Sequence, residues 1–173
     1  MKRKLSLIGI SSVFIVVLLI IVLPINADRD KKSELYVKYL YPNEEFFGEE
    51  LYSEIDYKCS DFESEIGHML IDKAIRVAEY TGSEQEADKE MGDVGALSDY
   101  YLFKLRGAVS QEMTFRFITC KIDEDEGHVW VVCTRIKYEE SGKGINVGSN
   151  ILTLWYIEYQ DGEWRVVESR EAS

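Results

Sequence analysis

Proline and histidine are scarce in this chain, with two of each in 173 residues, and cysteine occurs three times. No Cys-x-x-Cys pair exists and the histidines are too few to complete a zinc set, so Cys59, Cys120 and Cys133 fit no zinc pattern. A Gly-x-Ser-x-Gly elbow is missing, which removes the usual serine nucleophile of sheet-borne hydrolases. Ser141 to Gly144 sets a lysine between glycines, but Ile145 follows at once, and a phosphate loop needs wider glycine spacing with Ser or Thr after the lysine. Asp123-Glu124-Asp125-Glu126-Gly127 gathers carboxylates as calcium loops do, yet Thr134 stands where the twelfth-position glutamate belongs. No catalytic residue, metal ligand or cofactor is therefore assigned. With so little proline and no low-complexity tract, the chain also does not read as disordered.

Positive charge is the next shortage. Lysine and arginine number 20 against 32 aspartates and glutamates, and taking away Lys2, Arg3 and Lys4 leaves 17 against 32, a net −15 for the rest. Such a surface repels nucleic acid and anionic headgroups, which excludes nucleic acid as a partner.

One feature is abundant instead. Leu5 to Leu23 is a run of 19 residues broken only by Ser6, Gly9, Ser11 and Ser12. As a helix at ~1.5 Å per residue it spans roughly 28 Å, close to a bilayer core. Residues 5–23 thus read as a membrane-spanning anchor; the alternative is a secretion signal cleaved near Ala27, after the helix-breaking Pro24. A lipoprotein is excluded, because the first cysteine after the run is Cys59. Lys2, Arg3 and Lys4 precede the span and Arg29, Lys31 and Lys32 follow it, a slight bias; the short amino-terminal flank predicts an N-terminus in the cytoplasm and a C-terminal domain outside. The expected organisation is an anchor or signal over residues 1–27, a helical lead-in over 28–59, and an α+β extracytoplasmic domain over 60–173.

Within the lead-in, "SELYVKYLY" reads as a short helix stopped by Pro42, and Asn43 caps a second segment whose Phe47, Leu51 and Ile55 share one face. The clearest helix opens with Ser60-x-x-Glu63, a capping box. Phe62, Ile66, Met69, Leu70, Ala74, Val77 and Ala78 then recur at helical spacing up to Gly82, which predicts packing on a sheet. His68 stands four residues before Asp72, where a carboxylate can orient an imidazole, but Glu65, Arg76 and Glu79 mark that side as a solvated stripe. Residues 83–95 read as a polar loop and "ALSDYYLFKLRGAV" as a helix.

From Met113 the period changes to two. "MTFRFITCKI" and "HVWVVCTRIKY" form a first hairpin, and a two-residue turn at Glu126-Gly127 sets Phe117 opposite Ile136, Phe115 opposite Tyr138, and Cys120 opposite Cys133. In that register Phe115 and Phe117 share a face with Trp130, Val132, Ile136 and Tyr138. Directly opposed cysteines lie within bridging reach, so a Cys120–Cys133 disulfide is a candidate in the oxidising space outside the membrane. Residues 139–150, "EESGKGINVGSN", read as a glycine-rich loop. In "NILTLWYIEYQ", Asp161-Gly162, "EWRVVES", the Asp-Gly turn sets Tyr159 against Trp164 and Ile157 against Val166.

Helices followed by a four-stranded antiparallel meander that ends in "YIEYQDGEWRVVES" resemble the cystatin-like, nuclear transport factor 2-like folds of small bacterial extracytoplasmic proteins. The last hairpin, with Asp161-Gly162, Trp164, Val166 and Val167, carries the likeness, which covers residues 60 to 170. The resemblance implies helices packed on a curved antiparallel four-stranded sheet around a cone-shaped cavity. The family's enzymes use Asp or His inside the cone, and no such motif matches here; membrane-tethered members are similar to parts of conjugation and type IV secretion machines. The aromatics Trp130, Tyr138, Trp155 and Tyr159 are the candidate ligand or partner residues. The expected function is a non-enzymatic domain, tethered to or exported across the cell membrane, that binds a partner protein or small apolar ligand at the cell envelope. The alternatives are a structural part of a secretion apparatus and an envelope hydrolase or isomerase.

Overall fold

The period-two stretches become strands in the computed structural model, which describes residues 44–172. Strands β1 (Ser110–Asp123), β2 (Glu126–Tyr138), β3 (Gly144–Gln160) and β4 (Glu163–Glu171) form one antiparallel sheet in the order β1-β2-β3-β4. Before them come helices α1 (Glu44–Phe47), α2 (Glu49–Ser53), α3 (Asp61–Glu79) and α4 (Glu84–Met91). Tighter 3-10 turns lie at Glu54–Asp56, Gly95–Tyr100 and Leu102–Lys104. The fold is α+β, with helices packed on an antiparallel sheet. The anchor at 5–23 and the first helix at 33–41 lie outside the described residues, among which no helix is long and apolar enough to cross a membrane.

The second hairpin has the expected register, Tyr159 against Trp164 and Ile157 against Val166. Its turn residues Asp161 and Gly162 take φ 54° and 91°, the positive angles of a primed turn. The first hairpin departs from expectation. It turns at Glu124-Asp125, so that Asp123 faces Glu126, and a bulge between Phe117 and Thr119 shifts the ladder once more. Gly127 is used inside the ladder rather than in the turn: it pairs with Ile122, where a Cβ would stand 2.5 Å from the Lys121 carbonyl oxygen. Because of the bulge, Phe115 and Phe117 join Val131 and Cys133 on the face toward α3, and Cys120 and Ile122 join them beyond it.

This register corrects the expected disulfide. Cys120 faces Val129 and Cys133 faces Phe115, four positions further along β2, or ~13 Å at strand rise, against a bridging limit of about 7 Å. All three cysteines are free thiols.

Four helix-or-loop expectations also change. The segment after Asn43 is broken at Gly48, which takes φ 85°, although Phe47 and Ile55 are both buried as their spacing implied. Residues 84–91 are a helix, α4; Ser83 donates its N–H and hydroxyl to Glu86 Oε2 at 3.1 and 2.7 Å, part of a second Ser-x-x-Glu box. "ALSDYYLFKLRGAV" is two 3-10 turns separated by an extended Tyr101, not an α-helix. The glycine-rich segment is mostly strand, since β3 begins at Gly144 and only residues 139–143 turn.

α3 begins at the predicted box. Glu63 N–H donates to Ser60 Oγ at 3.3 Å, and Ser60 N–H donates to Glu63 Oε2 at 2.7 Å. Its stripe of Gly67, Leu70, Ala74 and Val77 is buried against the sheet. Between them lie Trp155, Tyr100, Leu97, Val129 and Ile157. Trp155 is fully buried; its Nε1–H donates to Tyr100 Oη at 3.0 Å, and Phe115 packs at 5.4 Å from both rings. The layer that the cone would occupy is therefore filled by side chains at these positions. On the opposite face Trp130, Val132, Leu152 and Leu154 are also buried, and the Phe47 ring meets Trp130 edge-on at 4.8 Å.

Candidate functional site

Beside the buried stripe, α3 keeps a second apolar row. Phe62, Ile66 and Met69 follow one another at four and three residues, on the flank of the helix rather than its underside. Phe62 is 58% exposed and Met69 41% exposed, while Ile66 between them is half-buried against the core, so the row marks the edge of the sheet's cover. Opposite stand Tyr159 and Trp164, paired across the β3–β4 hairpin with ring centroids 5.4 Å apart; Tyr159 is 46% exposed while Trp164 is buried. Together these side chains line a groove of about 490 Å³ with Glu124 and Asp125 of the first turn and Gly162 and Glu163 of the second. That volume is in the range of sites that take a small molecule or a few side chains.

The two turns are tied together, because Tyr159 N–H donates to the Asp125 carbonyl at 2.7 Å. Of the acidic run, Glu124 and Asp125 line the groove. Glu163 is offset by Arg165 at 2.9 Å and by Lys73 at 3.8 Å. Among the described residues, neither Glu124 nor Asp125 makes an ion pair, and no three His, Cys, Asp or Glu side chains are grouped to hold a metal ion. The first turn therefore presents its carboxylates as uncompensated charge.

A second, polar recess of about 230 Å³ lies on the other side of that turn, lined by Glu54, Lys121, Asp123, Glu126, Gly127 and His128. Lys121 Nζ and His128 Nδ1 each stand 2.8 Å from the Glu54 carboxylate, and Trp130 Nε1 lies 3.5 Å away. Burial alone would raise the pKa of Glu54, but hydrogen bonds and charge from His128 and Lys121 reverse this and hold it at about 2. A carboxylate that orients an imidazole is half of a catalytic triad, yet this lining offers no serine, threonine or cysteine as nucleophile. The cluster fastens the segment before α3 to β1 and β2, alongside the hydrogen bond from Thr119 Oγ1 to the Tyr57 carbonyl at 2.8 Å.

That role has a pH signature. A carboxyl held below its ordinary value of 4.5 contributes stability that is complete above that value and is lost as pH falls through about 2. Glu54→Gln should accordingly be less stable than the parent near neutrality, with the gap closing between about pH 4.5 and pH 2. Urea unfolding of both proteins across that range is the measurement. A gap that does not vary with pH would show that the ionised carboxylate is not what fastens the segment.

The four candidate aromatics do not converge. Tyr159 lines the groove; Trp155 is enclosed in the core on the same face; Trp130 is buried on the opposite face; Tyr138 sits at the far end of β2, its hydroxyl donating to Glu112 Oε2 at 3.0 Å. His68 is exposed, with Nδ1 at 2.7 Å from the Ser64 carbonyl and its ring 4.6 Å from Phe117, and not turned to Asp72. Cys120 and Cys133 are buried thiols whose pKa burial pushes up to about 12, which leaves them protonated and unreactive at neutral pH. The sequence matches no protein-family model and no curated protein. Phe62, Met69 and Trp164 were not singled out as site residues from sequence, since their spacing is the same as that of core residues.

Proposed function

We propose that this chain is a non-enzymatic binding domain, tethered to or exported across the cell membrane through residues 5–23, that holds an apolar part of a partner protein in the groove between α3 and the two hairpin turns. One observation carries the reading. Phe62, Met69 and Tyr159 are three large apolar side chains left exposed around a single concavity, and contiguous apolar surface of this kind marks interaction sites in folded proteins. Three further features support it. The interior between α3 and the sheet is packed, the buried thiols are inert, and the polar recess at Glu54 and His128 lacks a nucleophile. The arrangement of helices on a four-stranded meander agrees with the cystatin-like resemblance, a superfamily rich in interaction modules.

A photoreactive residue at position 69 of the full chain, expressed in its own cells and irradiated, tests this. A discrete cross-linked species is expected in the membrane or exported fraction, lost when Phe62 and Tyr159 are both changed to serine. The same residue placed at Val109, which is exposed and apolar but remote from the groove, should give none. Equal labelling from both positions, or none from position 69, would overturn the reading.

A further inference from the structure

Resting on that reading, the charge around the groove identifies the class of partner: we infer that the occupant is a segment of another protein in which apolar side chains are flanked by lysine or arginine. The apolar half of the requirement comes from Phe62, Ile66, Met69 and Tyr159. The basic half comes from the first turn. Glu124 and Asp125 line the groove, and the Tyr159–Asp125 backbone bond ties their turn to β3.

Glu163, the third acidic residue of the lining, is matched by Arg165 and Lys73, so the unbalanced charge of the lining is that of Glu124 and Asp125. A segment seated in the groove would thus place its cationic flank against Glu124 and Asp125, and charge complementarity of this kind governs orientation and on-rate more than total affinity. An anionic membrane surface is disfavoured as the occupant because the turn would repel its headgroups, and the chain as a whole carries a net −12.

Three labelled synthetic peptides probe the full chain in phosphatidylcholine nanodiscs by fluorescence anisotropy. One has leucines at helical spacing with lysine flanks, the second the same leucines with glutamate flanks, and the third the lysines with serine in place of leucine. The leucine–lysine peptide should bind at least about tenfold more tightly than either of the others, and less tightly as salt is raised. Glu124→Lys with Asp125→Lys should weaken it by about tenfold or more. Glu139→Lys with Glu140→Lys makes the same change in net charge at the opposite end of the first hairpin and should leave binding unchanged.

Equal binding of the leucine–lysine and leucine–glutamate peptides would overturn the charge assignment while leaving the groove intact as a docking site. Equal binding of the two lysine peptides would reduce the effect to diffuse attraction and overturn the inference. Loss of binding with the control pair as well as the turn pair would do the same. If no peptide binds while cross-linking at position 69 persists, the partner class falls and the groove stands; if both fail, the groove reading itself falls.

Discussion

Glu63→Ala should destabilise the protein by about 3 kcal/mol, roughly 10 °C in Tm for a domain of this size. Glu63 is buried, and four groups donate to its carboxylate: Ser60 N–H at 2.7 Å, the Ser60 hydroxyl at 2.8 Å, the Tyr57 hydroxyl at 3.1 Å and the Ile122 N–H at 3.0 Å. The first two belong to the helix cap, which ordinarily contributes ~1 kcal/mol. The last two join α3 to the preceding segment and to the edge of β1, and alanine would leave those donors partly buried without an acceptor, at about 1–3 kcal/mol each before water is readmitted. Burial by itself would raise the pKa of this carboxyl; the donated hydrogen bonds outweigh it and the net shift is downward. Its contribution is therefore present above the ordinary carboxylate range and declines as pH falls through the lowered value. Chemical denaturation of Glu63→Ala beside Ser60→Ala separates the parts. If both variants lose only about 1 kcal/mol, the carboxylate is a cap and nothing more.

Gly95→Ala should cost a similar amount by a different route. Gly95 takes φ +56°, where a Cβ is strained by about 1–2 kcal/mol, and that Cβ would also stand 2.2 Å from the Val166 carbonyl oxygen. The clash is with strand backbone, so the Gly95–Tyr100 turn must lift from β4, loosening Leu97 and Tyr100 in the core. Overpacking of this kind adds about 1–3 kcal/mol. Gly92 provides the comparison, since it takes φ +68° with open space around its missing Cβ. Gly92→Ala should show the backbone strain alone. Equal losses in the two variants, measured by urea unfolding, would show that the contact with Val166 has no weight.

The groove and its acidic turn show why sequence pattern finds a core more readily than a site. Phe62 and Met69 have helical spacing identical to that of Leu70 and Val77, yet the first two are exposed and the others buried. Nothing in the spacing separates them, because both rows belong to one wide apolar arc and the sheet beneath covers only part of it. Trp155 and Tyr159 likewise share a strand and a face, but Tyr159 lies near the end of β3, past the cover of α3's buried stripe. Of the four aromatics singled out on the sheet, Tyr159 lines the groove and Trp130, Tyr138 and Trp155 do not.

Local physics was enough to determine the capping box at Ser60 and Glu63, the 3.6 period of α3, the change to period two by Met113, and the Asp161-Gly162 turn with its register. Each of these depends on residues within a few positions of one another. The first hairpin was decided otherwise. Its turn could form at more than one place in an acidic run that ends in glycine, and the choice went to the register that buries Phe115 and Phe117 with Val131 against α3, at the cost of a bulge. That choice separated Cys120 from Cys133 and set Glu124 and Asp125 in the lining of the groove. The second Ser-x-x-Glu box, at Ser83, was as legible as the first, but the polar composition around it masked the helix it opens. What tertiary structure alone supplied was the extent of cover: which apolar side chains the sheet reaches, and which it leaves facing outward.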